Sequence, residues 1–242
     1  MNGTNSRTSY DLRRPPRVAF IPPSCCGTGY YRRLRTALGR RVDFRAVELP
    51  GHGRRFGEPA LTDAEAAVAD VARQLDGPVD AIYGESLGAY LGLALAATAR
   101  PDATPFLIAA SNSPPSARAP IDTTRITDIE SAVSVLTSMG GEIPTDVVSD
   151  PELAGVFFPV IRDDLLLSQS CIALTRSLAI PSAVHVVAGA DDAACTHLDG
   201  WADHTAARCT VTVVPGGHLL SAGDAWGLAD SILHLLKEEL DG

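Results

Sequence analysis

Lysine is almost missing from this 242-residue sequence: Lys237 stands alone, and arginine carries nearly all the basic charge. Aromatic residues are scarce at 5%, so aliphatic side chains must fill the core. Long apolar runs are absent too. Leu87 to Ala97 is too short and too broken by glycine to span a bilayer, which excludes a membrane-spanning reading. The opening residues hold no apolar stretch of signal-peptide type, so no secretory leader is visible. Cys25, Cys26, Cys171, Cys195 and Cys209 show no CxxC spacing. Their odd number argues against a disulfide framework and against structural zinc, and fits reduced thiols in a cytoplasmic protein.

What is present is ordinary globular composition, 45% hydrophobic and 20% charged. The length suits one domain with room for an inserted subdomain. A net charge of −9 argues against general nucleic-acid binding, because such a surface repels phosphates. That sum hides an asymmetry: residues 1–60 hold twelve arginines against four acids, and the rest of the chain is strongly acidic. The basic third either offers a cationic patch to an acidic partner or is simply solvated.

Hydrophobic periodicity predicts strands at Arg17–Ile21, Val42–Leu49, Val79–Tyr83, Phe106–Ala110, Ala183–Ala188 and Thr210–Val214. Helical spacing fills the intervals at Tyr30–Leu38, Leu61–Leu75 (capped by Thr62-Asp63), the stretch ending near Ala99, Leu198–Thr205 and Asp224–Leu240. Alternation of this kind predicts a parallel sheet covered by helices on both faces. It stops between Pro120 and Ala179, where helical periodicity without a strand predicts an inserted helical lid. Residues 1–16 are expected to be a flexible segment ahead of a domain covering 17–242.

Gly84-x-Ser86-x-Gly88 lies between a predicted strand and a predicted helix. A serine in that context occupies a strained turn that lifts its hydroxyl above the sheet, with glycines where neighbouring side chains would collide. Such a hydroxyl needs a base oriented by a third group. Asp191-Asp192 and His218 each follow a predicted strand, so acid and base fall at the carboxyl ends of parallel strands. Asp192 is preferred over Asp191, since one more residue of turn lets it bend back over the strand end. The alternative acid position, after the strand that follows the nucleophile helix, reads Ser111-Asn112-Ser113 and offers no carboxylate. His185 and His234 fall inside elements and read as structural, whereas His52 and His204 could approach the cleft.

These residues resemble the type II (editing) thioesterases of polyketide and nonribosomal peptide synthesis, members of the α/β-hydrolase superfamily. The likeness runs from about Arg17 to Leu236. It includes Ile21-Pro22-Pro23-Ser24-Cys25-Cys26 with Tyr31, Glu48-Leu49-Pro50-Gly51-His52-Gly53-Arg54-Arg55, the lid stretches Met139 to Pro144 and Pro159 to Asp164, and Pro215-Gly216-Gly217-His218. The resemblance implies hydrolysis of acyl groups from the phosphopantetheine arm of acyl or peptidyl carrier proteins. Ser86, His218 and Asp192 would be catalytic, and the backbone N–H groups of Ser24 and Leu87 would form the oxyanion hole. It implies neither metal nor organic cofactor, and no nucleic acid or membrane partner; a monomer is expected. Cys25-Cys26 replaces the usual Gly-Gly, so the early loop either avoids positive φ or carries strain. The pair lines the acyl entrance as small apolar filler or holds a redox or nucleophilic role. Glu85 stands where histidine is common and is expected to point away from the oxyanion and find a donor. Phe157 and Phe158 line an acyl channel or belong to the lid core. Arg32, Arg33, Arg54 and Arg55 are candidate carrier-protein contacts. The rival readings are another serine hydrolase, a cyclising acyltransferase, or a catalytically silent carrier-binding module.

Overall fold

The computed structural model describes residues 14–241. The expectation of a flexible start therefore lies mostly outside the described residues; within them, Arg14 pairs with Asp80 at 3.0 Å.

Six strands form one sheet in the order β2-β1-β3-β4-β5-β6: β1 Arg17–Ile21, β2 Asp43–Ala46, β3 Ala81–Glu85, β4 Phe106–Ala110, β5 Val184–Gly189 and β6 Cys209–Val214. Every pairing is parallel, as the βαβ alternation requires. The three central strands β1, β3 and β4 are almost wholly apolar and buried, which suits strands covered on both faces. On one face lie α1 (Arg32–Leu38) and α7 (Ala225–Leu240), with Leu34, Leu38, Ile232 and Leu236 in the core. On the other lie α2 (Ala64–Gln74), α3 (Leu87–Thr98) and part of α6 (Pro151–Thr175). Asp63 caps α2 by accepting the Ala66 N–H. α3 is buried on nearly all sides, which explains why its sequence shows no polar stripe.

Several boundaries differ from the periodic reading: β3 runs Ala81–Glu85 where Val79–Tyr83 is expected, and α1 and α2 begin at Arg32 and Ala64 rather than Tyr30 and Leu61. β2 covers only Asp43–Ala46 of the expected Val42–Leu49, and beyond it Val47 and Glu48 are both buried. The segment Leu198–His204 is a 3-10 helix, not α, anchored by the fully buried Trp201. Between β4 and β5 the chain is helical: a short 3-10 turn at Thr123–Arg125, α4 (Ile129–Ser138), α5 (Thr145–Ser149) and α6. This excursion has its own core of Ile129, Ala132, Leu136, Ile161 and Leu165. The far end of α6 sinks Leu167, Cys171 and Ile172 into the main core, so one helix belongs to both bodies. No helix among the described residues is long and apolar enough to cross a membrane.

β1 is flanked by β2 on one side and β3 on the other, so the chain reverses its direction of travel across the sheet there. Crevices at the carboxyl ends of strands form at such a switch point. The loop after β1 and the turn after β3 both open onto it.

Candidate active site

Ser86 alone makes the turn between β3 and α3, with φ 54° and ψ −118°, a strained conformation for a residue bearing a side chain. The turn is this tight because α3 doubles back over the strand. A Cβ on Gly84 would strike the Gly88 carbonyl and come within 2.7 Å of the Ala89 nitrogen; one on Gly88 would meet the Ile21 carbonyl group. Close backbone approach, not positive φ, demands both glycines. Asn112, beyond β4, donates to the Ser86 carbonyl at 2.8 Å and is itself held by Tyr90 and Arg118. The position without a carboxylate thus serves to brace the elbow.

The structure brings Ser86, His218 and Asp192 into one line. His218 Nε2 lies 3.0 Å from Ser86 Oγ, and its Nδ1 lies 2.8 Å from Asp192 Oδ2. A carboxylate can only accept, so Nδ1 carries the proton and Nε2 presents its lone pair to the serine hydroxyl. Asp192 also accepts the Ala194 N–H at 3.0 Å. Burial alone would raise its pKa, but bonds from His218, the Cys195 thiol and Ala194 outweigh burial and hold it below the ordinary carboxylate value. Asp191 is exposed to solvent. Ligand atoms of Asp192, Cys195 and His218 lie within 4.8 Å of one another, the one such grouping among the described residues, and two of its members are already bonded to each other.

The early loop does carry strain: Cys25 adopts φ 63°, a left-handed conformation costing about 1–3 kcal/mol. Asp164 of α6 accepts the Cys25 N–H at 2.5 Å, and the same oxygen lies 3.0 Å from His52 Nε2. His52 Nδ1 faces the Pro50 carbonyl at 3.1 Å. Both ring nitrogens meet atoms that only accept, a pairing that favours the doubly protonated imidazole. Burial pulls its pKa down, but the bond and charge of Asp164, the Pro50 carbonyl and Glu48 leave it raised. A raised folded value means that this contribution to stability is complete below the ordinary imidazole pKa. It is lost as pH climbs through the folded value. Thermal unfolding followed from about pH 6 to 9 should show that loss in the wild type and a flatter profile in His52→Gln.

Glu48 braces the back of the same loop, accepting the Thr28 N–H at 2.7 Å and the Thr28 hydroxyl at 3.0 Å. Burial drives the Cys25 thiol well above its ordinary pKa and Cys26 up to about 12. Neither forms thiolate readily at neutral pH, which disfavours the nucleophilic alternative.

A cavity of about 240 Å³ lies in front of Ser86, walled by Cys25, Cys26, Leu136, Ile143, Val147 and Phe157. Ser24 also reaches it. Leu87 is the first residue of α3, so its N–H has no carbonyl within the helix to bond. Phe158 departs from the channel expectation: it packs into the core of the helical excursion, with the Arg162 guanidinium 5.8 Å from its ring centroid. Arg55 departs too, since its guanidinium is taken up by Asp70 at 2.6 Å, Glu58 at 2.7 Å and the Glu48 carbonyl. Arg33 is exposed but donates to the Ala222 carbonyl, while Arg32 and Arg54 are exposed. His204 is buried against the Leu178 carbonyl and Ser116, away from the Ser86 line; His185 bonds Thr210 and Glu239.

A parallel sheet with a strained serine elbow at its switch point defines the α/β-hydrolase class. Within it, the thioesterase-domain family matches residues 16–236, and the chain belongs to that family. The AMB antimetabolite synthetase AmbE of Pseudomonas aeruginosa is 29% identical over 234 residues, covering 93% of this chain and 11% of AmbE. The chain thus spans about a tenth of that relative. The gramicidin S biosynthesis protein GrsT of Aneurinibacillus migulanus is 23% identical over 211 residues, 84% of this chain and 81% of GrsT. Among solved structures, ClbQ from the colibactin NRPS/PKS pathway superposes with a TM-score of 0.78 at 21% identity, covering 94% of this chain and 98% of ClbQ.

Proposed function

We propose that this chain is a trans-acting type II thioesterase that clears acyl groups from the phosphopantetheine arms of carrier proteins. The unbroken line Asp192–His218–Ser86 beside a small apolar cavity is the observation that supports it best. In this reading His218 takes the Ser86 proton as the oxygen attacks the thioester carbonyl. The N–H groups of Leu87 and Ser24 stabilise the tetrahedral oxyanion, each worth about 3 kcal/mol. His218 returns the proton to the departing thiol, and water activated by the same imidazole releases the acid from the acyl-enzyme. The excursion over the cavity acts as a lid. A cytoplasmic location suits the five unpaired cysteines.

The GrsT match covers most of that protein and favours a free-standing enzyme. The AmbE match favours a second reading, a release domain that works within a synthetase, which hydrolyses or cyclises its cargo. Acyl carrier protein, acyl-CoA and simple ester substrates compared side by side, with product masses, separate these readings. A free acid released fastest from the carrier protein is expected; a cyclic product, or preference for the ester, overturns the proposal. Labelling of Ser86 by a fluorophosphonate is expected as well, and its absence would indicate a silent binding module.

Docking of an acidic carrier protein is assigned to the exposed arginines Arg32, Arg33 and Arg54. Charge reversal at Arg54 is expected to raise KM for carrier-bound thioesters about two- to fivefold, equivalent to about 0.5–1 kcal/mol, and to leave free thioesters unaffected. Raised salt should shrink the difference.

A further inference from the structure

Glu85 is fully buried, and the chemistry above does not use it. It occupies the last position of β3, directly before Ser86. Hydroxyl and amide donors saturate both its oxygens. Oε1 accepts from the Tyr30 hydroxyl at 2.5 Å and from the Ser221 N–H at 3.3 Å. Oε2 accepts from the Tyr83 hydroxyl at 2.9 Å and from the Ser221 hydroxyl at 2.5 Å. No cation contacts the carboxylate among the described residues.

The donors come from three segments of the chain, whose residues Tyr31, Tyr83 and Leu220 also share the core on this face. Ser221 sits three residues beyond His218 in the turn between β6 and α7, where the Leu220 N–H already closes onto the His218 carbonyl at 3.2 Å. Tyr30 belongs to the 3-10 turn Thr28–Tyr31 that follows the early loop. One carboxylate therefore gathers the nucleophile strand, the histidine turn and the chain behind the early loop. A proton transfer over 3.0 Å between Nε2 and Oγ is sensitive to small displacements of either partner.

We propose that Glu85 is a positioning residue whose carboxylate, acting through Ser221, clamps the histidine turn to the nucleophile strand and sets the His218–Ser86 distance. The inference rests on the serine–histidine reading given above. A residue that merely fills the core would change stability and leave the balance of kcat and KM alone.

The test uses the full chain and a small-molecule acyl thioester, with Ser221→Ala, Glu85→Gln, the double variant and Ser86→Ala. Each single change is expected to lower kcat about tenfold with KM within twofold of wild type. Because both act through the Glu85–Ser221 pairing, the double variant should fall no further than the weaker single. The fluorophosphonate labelling rate at Ser86 should follow kcat. Wild-type kcat in Ser221→Ala, effects that multiply independently in the double variant, or a change confined to KM would each overturn the role. Should Glu85→Gln fail to fold, Ser221→Ala decides alone, since it removes one hydroxyl and keeps its backbone N–H. Turnover that survives Ser86→Ala would remove the serine mechanism itself, whereas an inert Ser86→Ala beside an unimpaired Ser221→Ala would overturn only the clamp.

Discussion

Alanine at Ser86 is expected to reduce kcat for acyl thioesters on the order of 10⁶-fold while leaving the melting temperature nearly unchanged. The rate loss follows from removing the only atom in the line that can form the acyl-enzyme; what remains would be water attack assisted by the oxyanion donors. The fold should survive because, among the described residues, the hydroxyl bonds only to His218 Nε2, and no buried donor is orphaned when it goes. The elbow's shape depends instead on Gly84, Gly88 and the Asn112 brace, all of which remain. His218→Ala should cost nearly as much, and the Ser86→Ala/His218→Ala pair little more than either alone, because residues that act as a unit are not additive. Single-turnover release of the free acid from an acylated carrier protein, with circular dichroism to follow folding, measures both halves. Turnover at the wild-type rate in Ser86→Ala would refute the acyl-enzyme route.

That line of three side chains was legible because each sits at a local landmark. Ser86 lies in a glycine-flanked strand-to-helix turn, and Asp192 and His218 each follow a predicted strand that leads into a glycine-containing turn. The order of strands and the helical interruption were legible for the same reason, since periodicity is a property of neighbouring residues. The braces around the site were not. Asp164 meets Cys25 across 139 positions, and Glu48 reaches Thr28 from outside the loop it supports. A charged residue inside a helical pattern, as Asp164 is, reads as a solvated one until the packing of α6 against the early loop is known. His52 and Glu85 stood out in the sequence as unusual residues, but their partners could not be named. Nor could the exposed look of Arg55 reveal that Asp70 and Glu58 enclose its guanidinium. Phe157 and Phe158 are adjacent, and helix geometry alone sends them in different directions, one to the cavity and one to the core of the excursion.

Gly140 gives the second large effect. It ends the turn after α4 at φ 96°, and a Cβ built there would collide with the His218 ring, 2.6 Å from Cγ and 2.9 Å from Cε1. The ring has little room to retreat, being buried and bonded at both nitrogens. Alanine at 140 must therefore either push the imidazole off the Ser86–Asp192 line or displace the backbone that follows α4. It also adds the strain of a left-handed side-chain residue, about 1 kcal/mol or more. A displacement near 1 Å in a reacting group costs about 100-fold, so kcat should fall at least that far in Gly140→Ala. The melting temperature should drop by only a few degrees, because α4 keeps its apolar contacts with α6. KM should change less than kcat if the imidazole moves, and more than kcat if the cavity wall moves instead, since Leu136 and Ile143 flank the same turn. Steady-state kinetics on Gly140→Ala, paired with the fluorophosphonate labelling rate, distinguishes the two. Wild-type kcat in this variant would mean that the glycine's contact with His218 has no part in holding the base in place.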